Sequence, residues 1–472
     1  MRKTKIICTI GPATDAPGVL EEIAKEGMNV ARLNFSHGDY EQHAMHIANI
    51  REVEKKIGRP IAILLDTKGP EIRTGTFEGG SVELTAGQTF TLTNRECSGT
   101  QEISHITYDK LHEDVHPGNR ILIDDGLIEL RVDKIAGEDI VCTVENGGKV
   151  SDHKGINVPD VHISMPYLSE KDMADIRFGI EQDVDFIAAS FVQCAEDVQK
   201  IRWFLEEHGG SSIHIMAKIE NREGVDNIDE IIKVTDAVMV ARGDMGVELP
   251  PEEVPIIQKR IIQKATMAGK QVVTATQMLD SMMVHPRPTR AEAADVANAV
   301  FDGTSAIMLS GETASGAYPV EAVKMMDCIA TRTEQEINYR KRFFALQREE
   351  NPDITDAICH ATVTTSYDLD AKAILALTTS GKTARMISRY RPDCEIFGGT
   401  SSEKTFRQLC LSWGVTPLLL EEKDDPFELT RHAFAEAKKQ EKITSGELVV
   451  MTCGVPLRHA GSTDMLRVQL VN

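Results

Sequence analysis

Apolar residues in this chain gather into short β-branched runs, and the stretches between them carry a helical spacing of apolar and polar positions. "KIICTIGP", "MNVARLNFS" and "PIAILLDTKGP" alternate with "EEIAKEG" and "HAMHIANIREVEKKIG". That rhythm predicts parallel strands linked by helices. It changes after residue 70. From about Glu71 to Met165 short alternating strands follow one another with turn signals, as in "FEGGSVELTAGQ" and "ILIDDGLIELRVDKIAGEDIVCTVENGG", and no convincing helix interrupts them. A small β-domain inserted between α/β units is predicted there. The first rhythm resumes with "SEKDMADIRFGIEQ", a helix with a Ser N-cap and acidic residues in its first turn.

Eight runs read as strands of one sheet: "KIICTI", "NVARLN", "IAILLD", "DFIAAS", "IHIMAKIE", "AVMVARG", "QVVTATQ" and "AIMLSGE". Eight such βα units predict an α/β fold, a closed (β/α)8 TIM barrel. An open doubly wound sheet is the alternative, but eight consecutive units without a clear nucleotide-binding fingerprint favour closure. A long helical stretch from Pro319 to Arg348 leads to a last α/β segment with strands in "AKAILALTT", "EIFGGT" and "GELVVMTCG". The predicted division assigns residues 1–70 and 166–345 to the barrel, 71–165 to the inserted β-domain and 346–472 to a C-terminal α/β domain.

Composition narrows the class. The chain has 472 residues, 41% hydrophobic and 26% charged, which fits an ordinary globular protein of two to four domains. Its apolar runs are far short of a membrane span, and "MRKTKIICTI" lacks the apolar stretch and cleavage site of a signal peptide. Nine cysteines with no CxxC pair predict reduced thiols in the cytoplasm, and argue against a zinc knuckle or a disulfide scaffold. A net charge of −21 without a concentrated basic run excludes a nucleic-acid partner. Anionic substrates must then be drawn by local features: a metal, helix N-termini or a few arginines.

Barrel enzymes keep their chemistry at the C-terminal ends of the strands. Here those ends carry Arg32, Asn34 and Ser36; Asp66, Thr67 and Lys68; Ser190; Lys218 and Glu220; Arg242, Gly243 and Asp244; Thr276 and Gln277; Ser310, Gly311 and Glu312. Any one polar strand end is explained by the onset of solvent; the full set is not. Lys218 and Glu220 lie two apart in one strand and so point the same way. Glu220 and Asp244 end neighbouring strands, and two hard carboxylates with room for water suit Mg²⁺ or Mn²⁺, with Lys218 facing the substrate. Structural ion pairs, Lys218 with Glu220 or Arg242 with Asp244, are the competing reading. "VARGDMGVEL" runs a strand into a turn whose free N–H groups suit a carboxylate or phosphate. Arg32 and Arg73 are candidate phosphate clamps, since a guanidinium fork matches phosphate oxygens. Asn34, Ser36, Asp66 and Thr67 offer only oxygen donors with one carboxylate, a set for K⁺; ordinary strand-end hydrogen bonding is the plainer alternative.

Several stretches together resemble the pyruvate kinase family: "NFSHGDY", "LLDTKGPEIRTG", "AKIEN", "ARGDMGVELP", "TATQMLDSM", "TARMISRYRP" and the long, specific block from His285 to Pro319. The order of domains also matches. The resemblance implies transfer of a phosphoryl group from phosphoenolpyruvate to ADP, giving pyruvate and ATP in the last step of glycolysis, in a cytoplasmic homotetramer under allosteric control. By position, Glu220 and Asp244 match the Mg²⁺ ligands, Lys218 the lysine beside the transferring phosphoryl group, and Arg32 and Arg73 the phosphate-contacting arginines. Asn34, Ser36, Asp66 and Thr67 match the K⁺ site. Ala241, Arg242 and Gly243 match the turn that binds the substrate carboxylate, and Thr276 the threonine beside the enolate carbon. Ser310 and Glu312 match a polar network tied to proton delivery, with Lys218 the competing proton donor. Asn34, His37, Arg73 and Lys154 match positions near the nucleotide.

In this family a glutamate at the position of Glu71 accompanies K⁺ dependence. The inserted domain matches a lid, jointed at Gly69, Pro70 and Pro166. The C-terminal domain resembles an effector-binding domain. Its "TTSGKT", Thr378, Thr379, Ser380, Gly381, Lys382 and Thr383, is a candidate cradle for a phosphorylated effector, a Ser/Thr N-cap being the alternative. Sugar phosphates and AMP both serve as activators in the family. Asp464 stands where many relatives have an asparagine, which disfavours a bisphosphate, and the additional C-terminal domain of some bacterial relatives is not expected. A metal-dependent barrel lyase and a non-catalytic sensor are the rival functions.

Overall fold

The computed structural model describes residues 2–346, 352–423, 425–456 and 463–472. Eight parallel strands close into a barrel: Lys5–Thr9, Val30–Asn34, Ala62–Asp66, Phe186–Ala189, His214–Ile219, Ala237–Ala241, Gln271–Ala275 and Ala306–Leu309. Each pairs with its neighbour in this order, and the eighth closes on the first, with Lys5 opposite Ala306. These are the eight predicted strands, and the doubly wound alternative falls away. Both faces of each strand are buried, so the strands read as continuous apolar runs. Ile7 points inward with Leu64, Phe186, Met216 and Met239, while its neighbours Ile6 and Cys8 pack against the helices. Cys410 and Leu411 join the inner cluster from the C-terminal segment and plug the barrel at the end away from the strand termini.

Between the third and fourth barrel strands lies a seven-stranded sheet in the order Ile72–Arg73, Gly155–Asn157, Arg120–Ile123, Ile128–Ala136, Asp139–Asn146, Thr89–Thr93, Ile103–His105. A two-stranded pair, Ser81–Leu84 with Gly148–Ser151, accompanies it. Phe90, Leu92, Ile121, Leu130 and Ile140 belong to a core separate from the barrel's. The pattern predicts no helix here, but one turn forms at Leu111–Asp114; four residues are too few to show a helical period. "SEKDMADIRFGIEQ" forms the helix Glu170–Glu181, capped as expected: Ser169 Oγ accepts from the Asp172 N–H at 3.0 Å.

The C-terminal sheet has five strands in the order Val415–Leu419, Glu395–Thr400, Ala373–Leu377, Leu448–Cys453, Met465–Leu470, the last antiparallel. Its two edge strands are not among those predicted. Pro417 lies inside one, tolerated because an edge strand leaves N–H groups outside the ladder. The long helix predicted from Pro319 to Arg348 is two helices, Pro319–Glu334 and Tyr339–Ala345, and residues 347–351 lie outside the described set. Asn338 restarts the chain, its side chain accepting from the Lys341 N–H at 2.8 Å. No helix among the described residues is long and apolar enough to cross a membrane, and all nine cysteines are free.

Candidate active site

A parallel barrel delivers the last residue of every strand to one rim. Asp66 ends the third strand and is 1% exposed, a position where an unpaired carboxylate would be costly. It is paired twice. Arg32, from the second strand, places Nε 2.6 Å from Asp66 Oδ2, and Lys218, from the fifth, places Nζ 3.2 Å from Oδ1. Burial opposes the Asp66 charge, but Arg32 and Lys218 outweigh it and hold the carboxyl below its ordinary range.

Lys218 Nζ also lies 2.9 Å from Glu220 Oε1 and donates to Ser190 Oγ at 2.7 Å. Burial works to discharge the ammonium; the carboxylates of Asp66, Glu220 and Asp244 overcome it and raise its pKa, so Lys218 stays charged. Glu220 is fully buried, and that burial, with Asp244 adding to it against the pull of Lys218, pushes its carboxyl up to about 7. The backbone N–H of Phe191 donates to Glu220 Oε2 at 2.6 Å. Glu220 Oε1 meets the Lys218 ammonium and has no hydrogen-bond partner besides it.

Asp244 sits in the short helix Arg242–Glu248 that opens as the sixth strand ends. The competing Arg242–Asp244 pair does not form: Arg242 turns away to Asp295 at 2.8 Å and to the carbonyls of Ala275 and Thr276 at 3.2 and 2.7 Å. Among the described residues Asp244 has no hydrogen bond or ion pair. No group of three or more His, Cys, Asp or Glu side chains among those residues could hold a metal. Two carboxylates, one with a buried oxygen that meets only the Lys218 ammonium, fit an ion that keeps its own waters and takes the rest of its shell from substrate, as Mg²⁺ does.

Thr276 and Gln277 leave the seventh strand with φ of 68° and 52°. A β-branched residue in the left-handed region is strained by about 1–3 kcal/mol, and the Arg242 bond to the Thr276 carbonyl helps hold it. Thr276 Oγ1 accepts from the Gly243 N–H at 2.7 Å and donates to the Ala275 carbonyl at 2.6 Å. After the eighth strand, Glu312 is buried, which raises its pKa, and its oxygens accept from the N–H groups of Leu279 at 3.0 Å and Ser310 at 2.7 Å. The Ser310 hydroxyl is buried without a partner. Neither residue is hydrogen-bonded to Thr276.

Asn34 and Asp66 face each other across the second and third strands. Asn34 Oδ1 accepts from the exposed Ser36 N–H at 3.1 Å, and Thr67 Oγ1 donates to the Ala188 carbonyl at 3.2 Å. His37 is exposed beyond them. Arg73 and Lys154 belong to the inserted domain, Arg73 on a strand and Lys154 just before the adjoining one, where Gly155 pairs with Arg73. Arg73 reaches Glu71 at 2.6 Å, and Lys154 reaches Asp124 at 2.8 Å. No hydrogen bond or ion pair among the described residues joins either to the Lys218 cluster. A cleft of about 740 Å³ separates the inserted domain from the barrel, and Glu71, Asp125, Asp244 and Glu248 line it.

In the C-terminal domain, Gly381, with φ of 77°, caps the helix Lys382–Arg389 and no hydroxyl of the preceding loop does. The Ser/Thr N-cap alternative therefore does not hold. Thr383 shares a 2.8 Å bond with Thr463, and Thr379 O accepts from Thr405. Asp464 Oδ1 accepts from the Val455 N–H at 2.9 Å. Two contacts at the rim were not legible in sequence: the Phe191 amide on Glu220, which follows from a backbone φ of 54°, and the 2.8 Å bond from Asn157 of the inserted domain to Glu248. Ser190 was visible as a polar strand end, but nothing in its spacing marked Lys218 as its partner.

A closed parallel barrel whose rim gathers three carboxylates, an ammonium and a guanidinium in a largely buried setting is an enzyme of the TIM-barrel class, fitted to an anionic substrate. Comparison with known proteins sharpens this. Residues 1–323 match the family model of the pyruvate kinase barrel domain, and residues 356–469 that of the pyruvate kinase alpha/beta domain. The chain is 53% identical to a pyruvate kinase of Geobacillus stearothermophilus, covering 100% of itself and 81% of that protein. It is 50% identical to a pyruvate kinase of Clostridium acetobutylicum, each covered in full at 100%. A crystal structure of a pyruvate kinase from Cryptosporidium parvum superposes with a TM-score of 0.95 at 41% identity, covering 100% of this chain and 96% of that one. The chain belongs to the pyruvate kinase family, and the sequence reading of a glycolytic phosphotransferase holds.

Proposed function

We propose that this chain transfers the phosphoryl group of phosphoenolpyruvate to ADP at the rim built around Lys218, Glu220 and Asp244, giving pyruvate and ATP. The observation that carries the reading is a buried ammonium, kept charged by three carboxylates, beside a buried glutamate oxygen that has no hydrogen-bond partner besides that ammonium. The experiment is pyruvate formation from phosphoenolpyruvate with and without ADP. A barrel lyase would show no need for ADP, and a sensor would form no pyruvate.

Phosphoryl transfer passes through a loose transition state with charge spread over three oxygens, so catalysis is mostly positioning and charge stabilisation. Glu220 and Asp244 would hold Mg²⁺ or Mn²⁺, which supplies positive charge to the transferring oxygens and to the enolate oxygen of the first product. Lys218 adds its ammonium. Arg32 is anchored through Nε on Asp66 and through one terminal nitrogen on Thr9 at 3.0 Å; the other terminal nitrogen is left for a phosphate oxygen. The backbone of Ala241, Arg242 and Gly243 would take the substrate carboxylate. Gly243 must then release Thr276 Oγ1, and the Thr276 hydroxyl must also turn from the Ala275 carbonyl, to which it donates, before it can pass a proton to the enolate carbon. A threonine is too weak an acid to be the source, so water reaching back toward Ser310 and Glu312 completes the relay, with Lys218 the other donor in reach.

Asn34, Ser36, Asp66 and Thr67 would hold K⁺. Their donors are all oxygens, and Glu71 supports the assignment through the family pattern. Residues 71–165 would act as the lid that keeps water from the phosphoryl group, carrying Arg73 and Lys154 over a nucleotide that also meets Asn34 and His37. The first turn of the helix Lys382–Arg389, without a side-chain cap, supports a phosphorylated effector at Thr378–Thr383. Family membership supports a homotetramer, and nine free cysteines support a cytoplasmic location.

A further inference from the structure

Ser190 follows the fourth barrel strand and is 1% exposed. Its side chain and backbone meet three parts of the molecule. Its hydroxyl accepts from Lys218 Nζ at 2.7 Å and donates to the Thr67 carbonyl at 2.7 Å; Asp66 Oδ1, at 3.3 Å, is the weaker acceptor. Its carbonyl accepts from the hydroxyl of buried Tyr167 at 2.9 Å. Tyr167 stands just past Pro166, at the outgoing joint of the inserted domain.

The incoming joint presses on the same place. Gly69 has φ of 72°, and a Cβ added there would lie 2.9 Å from Ser190 Cβ and 3.2 Å from the Phe191 ring. Its N–H is tied to Asp172 Oδ1 at 3.0 Å. Phe191 holds its own left-handed backbone, φ of 54°, and gives its N–H to Glu220. Both joints of the inserted domain therefore abut one two-residue turn, which grips Lys218 by a hydroxyl and Glu220 by an amide.

A lysine ammonium has three N–H donors on a flexible stem. Here they face three acceptors: Asp66, Glu220 and Ser190. Two carboxylates alone give attraction without direction. When Glu220 Oε1 is drawn to an ion, Ser190 and Asp66 are what remain to aim the ammonium at a substrate oxygen.

We propose that Ser190 is a positioning residue for phosphoryl transfer, aiming Lys218 through its hydroxyl, and that Tyr167 passes the position of the inserted domain's joint to it. The proposal rests on the reading of Lys218 given above. It is tested on the full-length protein with Mg²⁺ and K⁺ present, by steady-state kinetics and by Mn²⁺ binding followed by electron paramagnetic resonance. Misaligning a reacting group by about 1 Å costs on the order of 10²-fold, so Ser190→Ala lowers kcat by about 10- to 100-fold. Both KM values stay within about threefold and Mn²⁺ binding is unchanged, because the hydroxyl aims one cation rather than building the site. Tyr167→Phe lowers kcat by about three- to tenfold through that same hydroxyl, so adding it to Ser190→Ala slows the enzyme no further than about twofold.

A Ser190→Ala enzyme with full kcat, beside an inactive Lys218→Ala, overturns the proposal and leaves the Lys218 reading standing. Loss of Mn²⁺ binding in Ser190→Ala overturns it in favour of a general structural role. Multiplicative effects in the double variant overturn the link to the joint. Should Ser190→Ala fail to fold, Tyr167→Phe decides, and an unchanged kcat there is equally fatal. Substantial kcat in Lys218→Ala brings down both readings together.

Discussion

Glu220→Gln separates what the rim does for stability from what it does for catalysis. In the fold the Glu220 carboxyl rises from 4.5 to about 7, because burial and Asp244 outweigh the nearby Lys218. The folded protein therefore binds this proton more tightly than the unfolded chain. The contribution of Glu220 to stability is fullest below pH 4.5, falls as pH rises through the interval to about 7, and is level beyond it. At about 1.4 kcal/mol per pH unit across that interval, the ionised glutamate costs the metal-free fold about 3 kcal/mol. Glutamine carries no such cost, although Lys218 then loses one of its two close carboxylates, so 3 kcal/mol is the ceiling. The assay is urea unfolding in chelator at pH 5 and pH 8. The expected result is near-equal stability at pH 5 and a Gln variant more stable by up to about 3 kcal/mol at pH 8. Added Mn²⁺ should stabilise the parent and leave the variant unmoved, with pyruvate formation lost in the variant. A Gln variant less stable than the parent at pH 8 without divalent ions would refute the reasoning.

Three other outcomes are expected. Lys218→Ala should lower kcat by at least ~10³-fold, the scale on which a single cation acts in phosphoryl transfer, while Mn²⁺ binding survives; loss of the ion as well would mean that Lys218 mainly holds the site together. Activity should require K⁺, since Glu71 and four oxygen donors point that way, and full turnover in K⁺-free buffer would count against the assignment. Arg407→Ala should lower stability by about 3 kcal/mol in thermal melts. Asp185 at the barrel base is fully buried, and once the 2.8 Å Arg407 bond is gone its Oδ1 keeps only Lys404, at 4.0 Å, while Oδ2 stays with Arg51 at 3.2 Å and the Ile63 N–H at 2.8 Å. A loss under about 1 kcal/mol would mean the C-terminal domain is held there by apolar contacts instead.

The barrel was legible because a strand buried on both faces must be apolar throughout, and eight such runs at βα spacing have few other arrangements. The rim was legible because charge at the end of an apolar strand needs a reason. What the pattern hid is informative. The break at Asn338 is a cap, one residue interrupting an otherwise helical composition. The strand through Pro417 is concealed by a residue that strand patterns exclude, and only its place at the sheet edge permits it. The turn at Ser190 and Phe191 depends on a left-handed backbone at a bulky residue, which no propensity suggests and which only tertiary contacts hold in place. Which acceptor each Lys218 proton finds is likewise set by a neighbouring strand.

The account stands on two carboxylates, Glu220 and Asp244, sharing one divalent ion with Lys218 beside it. A crystal soaked in Mn²⁺ and measured for anomalous scattering tests that directly. The peak should lie within about 2.0–2.3 Å of Glu220 Oε1 and of an Asp244 oxygen, the remaining positions filled by water. A peak elsewhere, or none between those two side chains, would contradict it.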